Sequence, residues 1–190
     1  MNAKVLCYII SLSILSVCAV ETITTLDGLE TKYKSKKLEN VIVKPDLTIA
    51  DFSGWTIINV MFSEKSDGNT NFSGATIKGV NNLNTIFSSP LKNVIFQNAK
   101  LDNVVFEGAV SNGDFKQATL TNVTFRADVS GTFDGATLTN VRFNGAYQGS
   151  FAAATVVDCS DKDGKTLAIK DGQLVLFVQD QSPSLASEKK

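Results

Sequence analysis

The stretch Phe115-Lys-Gln-Ala-Thr-Leu-Thr-Asn-Val-Thr-Phe125 returns almost unchanged as Phe133-Asp-Gly-Ala-Thr-Leu-Thr-Asn-Val-Arg-Phe143, and this recurrence decides the fold. A third copy opens at Phe72-Ser-Gly-Ala-Thr-Ile. Looser copies begin at Phe52, Phe96 and Phe151, and a degenerate one at Tyr33. Within a copy the large apolar residues fall five apart, as in Phe115, Leu120 and Phe125. A small apolar residue stands two places before most of them: Ala118 before Leu120, Val123 before Phe125. A period of five fits neither the 3.6 of a helix nor the 2 of a strand. Self-similarity at a fixed period predicts a solenoid, in which each unit buries its apolar face against its neighbours.

Ala99-Lys-Leu101-Asp-Asn, Val104-Val-Phe106-Glu-Gly, Ala118-Thr-Leu120-Thr-Asn, Val123-Thr-Phe125-Arg-Ala and Ala136-Thr-Leu138-Thr-Asn share one pattern: small, polar, Leu or Phe, polar, polar. This spacing, carried by residues 38–161, resembles the pentapeptide-repeat family. The resemblance implies an all-β chain folded as a right-handed quadrilateral parallel β-helix, each pentapeptide forming one side. The central Leu or Phe and the small residue before it would point inward. It also implies a bacterial source.

Coil starts at Tyr33, Phe52, Phe72, Phe96, Phe115, Phe133 and Phe151 are spaced close to the twenty residues that four pentapeptide sides require. The shorter intervals put trimmed sides at Gly113-Asp-Phe, Gly131-Thr-Phe and Gly149-Ser-Phe, where a tightened corner would favour positive φ. Leu91-Lys-Asn-Val-Ile-Phe96 matches the second half of the decamer, so two registers are open for Phe96. Ser88-Ser-Pro90 reads as an extruded loop, and Ser63 to Thr70 as a polar surface loop. Coils stacked at the inter-strand spacing make a rod roughly 30 Å long.

Residues 1–19 read as a signal peptide. Lys4 supplies the positive start, Val5 to Val17 is apolar apart from three serines, and Val17-Cys-Ala19 offers small residues for cleavage. The apolar run is shorter than the ~20 residues of a membrane span, so none is expected after cleavage. Export to a periplasmic, cell-surface or secreted location follows. Leu15-Ser-Val-Cys18 leaves a lipoprotein as a minority alternative. Residues 20–37 read as a polar lead-in, 38–161 as the β-helix, 162–180 as a C-terminal cap and 181–190 as a disordered tail. In the cap, Thr166–Ile169 and Leu174–Val178 flank Lys170-Asp-Gly-Gln173, the pattern of a β-hairpin. This segment could also pair two copies into a homodimer.

Chemistry has little to work with. There is no histidine, the usual base and the commonest transition-metal ligand. Cleavage would leave Cys159 as the one cysteine, placed where Val123 and Val141 sit in earlier copies. Asp102, Asp114 and Asp134 are scattered, and no phosphate-binding glycine loop appears. The expectation is a non-enzyme with no catalytic, cofactor-binding or metal residues and no cofactor.

Asn40, Asn59, Asn103, Asn122 and Asn140, with Gly79 and Asp158, form one column, expected to be structural because Asn tolerates left-handed turns. Thr56, Thr76, Thr119, Thr137 and Thr155 form another, interrupted by Lys100. The pairs Thr119/Thr121 and Thr137/Thr139 resemble the surface of ice-binding β-helices, a minor alternative.

The leading expectation is therefore an exported structural or protein-interaction module with an unknown protein partner. The family resemblance also raises a DNA-mimic gyrase-binding protein as the alternative. Residues 38–161 carry 12 acidic and 8 basic side chains, with Lys78, Lys92, Lys100, Lys116, Arg126 and Arg142 among the acids. An excess of four is far below the one charge per ~1.7 Å of duplex DNA, and nucleic acid is not an expected partner.

Overall fold

The computed structural model describes Val5–Leu6 and residues 19–177. Most of the expected signal peptide (residues 1–4 and 7–18) and the expected tail lie outside the described residues. What is described is a parallel β-solenoid with almost no helix. Seven strands, from Lys37–Glu39 to Thr155–Val157, stack in parallel to make the first side. A nine-stranded sheet makes the second side and ends with Ser160–Asp161. Four strands, from Leu91–Lys92 to Tyr147–Ser150, make the third side. The fourth is joined by single bridges that link Asp51, Asn71, Ile95 and Asp114.

The interval of five becomes intelligible once the inward columns are seen. Phe52, Phe72, Phe96, Phe115, Phe133 and Phe151 stack face to face, with ring centroids 4.6–5.1 Å apart. Phe62, Phe87, Phe106, Phe125 and Phe143 form a second stack at 4.8–5.3 Å. The two stacks meet edge to face, as at Phe72 and Phe87, the geometry that ring quadrupoles favour. All eleven rings are at most 1% exposed, each contributing roughly 2–3 kcal/mol of burial. Leu38, Ile57, Ile77, Leu101, Leu120 and Leu138 fill the first side, paired in register. Phe96 therefore belongs to the column of Phe72 and Phe115, which settles its register.

The long interval from Phe72 to Phe96 has a local cause. Phe62, Phe106, Phe125 and Phe143 each follow the preceding column phenylalanine by ten residues, whereas Phe87 follows Phe72 by fifteen. The extra residues, Val80–Asn84, bulge from the corner, with Asn81 and Asn82 both at positive φ. Thr85 then regains the inward place next to Val104. Its buried hydroxyl donates to the Lys78 carbonyl at 2.8 Å and accepts from the Val60 amide at 3.3 Å. So Ser88–Pro90 is not the extruded loop; it is an ordinary corner, as short as Glu107–Ala109 between Phe106 and Val110.

Ser63–Thr70 is likewise not a surface loop. Ser66 bridges to Leu91 and takes its inward place, and both Ser66 and Thr70 are buried. The two hydroxyls bond each other, and Thr70 donates to the Leu47 carbonyl at 2.6 Å. A polar pair is thereby satisfied inside the rod.

Expected positive φ at the trimmed corners holds for Gly149 (φ 140) but not for Gly113 or Gly131. At Gly131 and Gly149 glycine is needed because coils touch: a Cβ on Gly149 would lie 1.7 Å from the Gly131 carbonyl oxygen, whereas one on Gly113 would meet the Phe115 ring of its own coil at 2.6 Å.

Both ends depart from the repeat. Glu21–Ile23, inside the expected lead-in, already pairs in register with Val41–Val43 and buries Ile23. Val5–Leu6 pairs antiparallel with Ala19–Val20. Tyr33 is the C-cap of a single helical turn, Leu29–Lys32, rather than a coil-starting ring. At the other end Leu167–Lys170 and Gln173–Leu176 form the antiparallel hairpin, turning at Asp171 (φ 50) and Gly172 (φ 71). Two positive φ values in a two-residue turn suit the strand twist. The hairpin docks on the last coil through Phe151 N–H to the Gly172 carbonyl at 2.8 Å and Leu167 N–H to the Cys159 carbonyl at 2.9 Å. Leu167 and Leu174 join the core.

Candidate interaction surface

The polar residues singled out in the sequence prove to be corner fittings. Asn40, Asn59, Asn103, Asn122, Asn140 and Asp158 all hold φ of 51–54°, the left-handed region that Asn tolerates. Their side chains bond along the column: Asn59 Nδ2 donates to Asn40 Oδ1 at 2.9 Å and Asn140 Nδ2 to Asn122 Oδ1 at 2.7 Å. Gly79 lies in the same column without positive φ, because the Val80–Asn84 bulge starts there.

The carboxylates do similar work. Asp114 accepts from Lys116 N–H at 3.1 Å and Gln97 Nε2 at 2.6 Å. Asp134 accepts from Ala152 N–H at 2.9 Å, and Asp102 from Asn122 Nδ2 at 3.3 Å. Each is spent on joining coils. Among the described residues no group of three or more Cys, Asp or Glu is placed to hold a metal ion. Cys159 sits under Val141, whose amide donates to its Sγ at 3.4 Å, and burial pushes its thiol pKa up. A buried protonated thiol is a poor nucleophile.

Outward-facing rows remain. On the first side Thr119/Thr121 and Thr137/Thr139 are direct neighbours in register, followed by Thr155/Val157 and preceded by Lys100/Asp102. The neutral array is therefore three coils deep and ends in a charged row. Some charges pair, as Arg126 with Glu107 at 2.9 Å on the second side and Lys37 with Glu39 at 2.5 Å at the start of the first.

The second side carries what sequence reading missed. Ile42, Met61, Ile86 and Val105 occupy the outward position in four consecutive coils, in register. The motif asks for a polar residue there, since alternation turns the residue between two inward ones to solvent. Met61 is 37% exposed, Ile42 and Ile86 are half-buried, and Val105 is buried although it stands outside the inner core. Ile58, also outward on the first side, is buried in the same manner. Leu83 of the bulge is exposed. The row turns polar at Thr124 and Arg142. The signal was available: Val41-Ile-Val43, Val60-Met-Phe62, Thr85-Ile-Phe87 and Val104-Val-Phe106 each place an apolar residue where Thr and Arg stand later.

No family model and no curated protein matches the chain. Among solved structures it is similar to a trypsin-treated variant of QnrB1, a plasmid-mediated fluoroquinolone resistance protein. The identity is 20%, over 68% of this chain and 76% of that one, with a TM-score of 0.22. A superposition that loose has no bearing on function, and the solenoid rests on its own strand pairing.

Proposed function

We propose that the chain is an exported pentapeptide-repeat protein that works without catalysis, as a module that docks a protein partner on its second side. The observation that carries this reading is the row Ile42, Met61, Ile86 and Val105. A row of four outward apolar residues in a fold whose other outward rows are mostly polar, broken only by single residues such as Ile58 and Val157, is the kind of patch that marks an interaction site. Its core is already sealed by phenylalanine stacks, so the row is not needed to close the rod. Export through residues 1–19 would place the partner outside the cytoplasm.

A photo-crosslinker at Met61, applied to extracytoplasmic fractions, should capture the partner, and Ile86→Glu should abolish capture without shifting the melting temperature. Capture that is indifferent to Ile86→Glu would refute docking on this side. The charge pattern argues against DNA mimicry, and residues 20–190 should not inhibit gyrase supercoiling. Micromolar inhibition would reverse that ranking.

Val157, Leu176 and Phe177 leave exposed apolar surface on the last coil and its hairpin, which supports a homodimer through the C-terminal segment. Light scattering on the mature chain and on Phe177→Lys tests it: a dimer that dissociates in the variant is expected, and a monomer in both would exclude it.

A further inference from the structure

Among the asparagines of this chain only Asn71-Phe-Ser73 and Asn122-Val-Thr124 have the Asn-x-Ser/Thr pattern of an N-glycosylation acceptor. The structure separates the two. Asn71 is half-buried, its backbone is bridged to Asp51 and Ile95 on either side, and its Oδ1 accepts the Ser73 amide at 3.0 Å. Asn122 is exposed at a corner between the first and second sides. Its Oδ1 accepts from Asn140 at 2.7 Å, while its Nδ2 makes only a long contact, 3.3 Å, to Asp102.

We infer that Asn122 is an acceptor for N-linked glycosylation during export, with a lipid-linked oligosaccharide as the donor. This inference rests on the export reading and on export through a eukaryotic secretory pathway, in place of the bacterial source that the repeat resemblance implies. In the transfer, Nδ2 attacks C1 of the first sugar. A C–N bond forms there and the C1–O bond to the lipid pyrophosphate breaks. The pyrophosphate leaves with the electron pair, and one amide proton passes to a base of the transferase. The glycosylated amide keeps its carbonyl oxygen and one N–H, which is all that the bonds to Asn140 and Asp102 use. The folded ladder thus accepts a glycan at Asn122 without losing a rung.

Placement gives the modification a consequence. Thr124, the hydroxyl residue of the pattern, stands in the outward row directly after Val105, where that row turns from apolar to polar. A glycan on Asn122 would stand beside that boundary. It would confine a docked partner to the coils of Ile42 through Val105 and screen the Thr119/Thr137 rows.

The test is expression of residues 1–190 in a eukaryotic secretory cell, beside a form whose residues 1–19 are replaced by an established signal peptide. Intact mass is read before and after peptide N-glycosidase in heavy-oxygen water. Secreted protein should lose one glycan mass and carry labelled Asp at position 122. Thr124→Ala should abolish the glycan, Thr124→Ser should retain it, and Asn71→Gln should leave it unchanged. Secreted protein without a glycan would overturn the acceptor assignment, and a glycan confined to Asn71 would overturn the geometric argument. If residues 1–190 stay in the cytosol while the substituted form is secreted, the export reading fails. The substituted form then still decides whether Asn122 can be used.

Discussion

Gly131 lies so close to Gly113 in the preceding coil that a Cβ on Gly131 would sit 2.0 Å from the Gly113 carbonyl oxygen. The two are register partners, and Gly149 continues the column. Backbone stacks on backbone here, and no side chain can intervene.

Gly131→Ala should therefore destabilise strongly, by about 3 kcal/mol or more, because neither backbone can yield without breaking its ladder. Gly74→Ala meets open space but keeps a φ of 64°, so its cost should be only about 1–2 kcal/mol. Urea melts of the two variants check the contrast, and equal losses would disprove the close contact.

Phe125 stacks 4.8 Å from Phe106 and 5.3 Å from Phe143 and is 1% exposed. Phe125→Ala should cost about 3–5 kcal/mol through lost burial and a cavity. Thr124 faces outward, and its change to Ala should stay within about 0.5 kcal/mol. Similar costs in chemical denaturation would mean the inward register is wrong.

Ile49 holds a φ of 62° and is 80% exposed, a β-branched residue in the left-handed region with its side chain in water. Asn93 and Asn112 occupy the matching place two residues after an inward Leu91 or Val110, at φ of 52° and 54°. Ile49→Asn should stabilise the rod by about 1 kcal/mol by relieving that strain. A lower melting temperature in the variant would contradict this account.

The Ser53 amide, donating to Asp51 at 2.9 Å, holds the Asp51 carboxyl below the ordinary range, and the Thr48 hydroxyl does the same for Asp46. For a depressed folded pKa the stabilisation is present above the unfolded value, about pH 3.9, and is lost as pH falls through the folded one. Asp51→Asn keeps the acceptor for Ser53 and removes the titration. Its melting temperature should fall less than that of the parent on acidification below about pH 4. Identical acid sensitivity would show that Asp51 contributes none of it.

Leu167 and Leu174 close the last coil. Removing residues 162–190 should uncover Phe151 and Cys159 and lead to aggregation or a clear drop in melting temperature. A truncated chain with unchanged solution mass and melting temperature would deny the hairpin a capping role.

The sequence by itself determined the solenoid, the two phenylalanine columns, the asparagine corner and the hairpin. Each is a local pattern repeated in register: Phe115-x4-Leu120-x4-Phe125 states its spacing without reference to any neighbour, and Asp171-Gly172 specifies its turn alone. Only the tertiary structure decided which polar segments turn inward and which apolar ones turn out. Ser66 and Thr70 read as surface because their burial depends on Leu47 offering a carbonyl more than twenty residues away. Ser88–Pro90 and Val80–Asn84 could not be told apart as the bulge until Phe87 was seen stacked between Phe62 and Phe106. Gly131 looked like a turn glycine, and its true constraint is the backbone of another coil. The outward row from Ile42 to Val105 becomes one surface only when residues about twenty apart are brought to the inter-strand spacing. Stacking sets that distance, and nothing local along the chain expresses it.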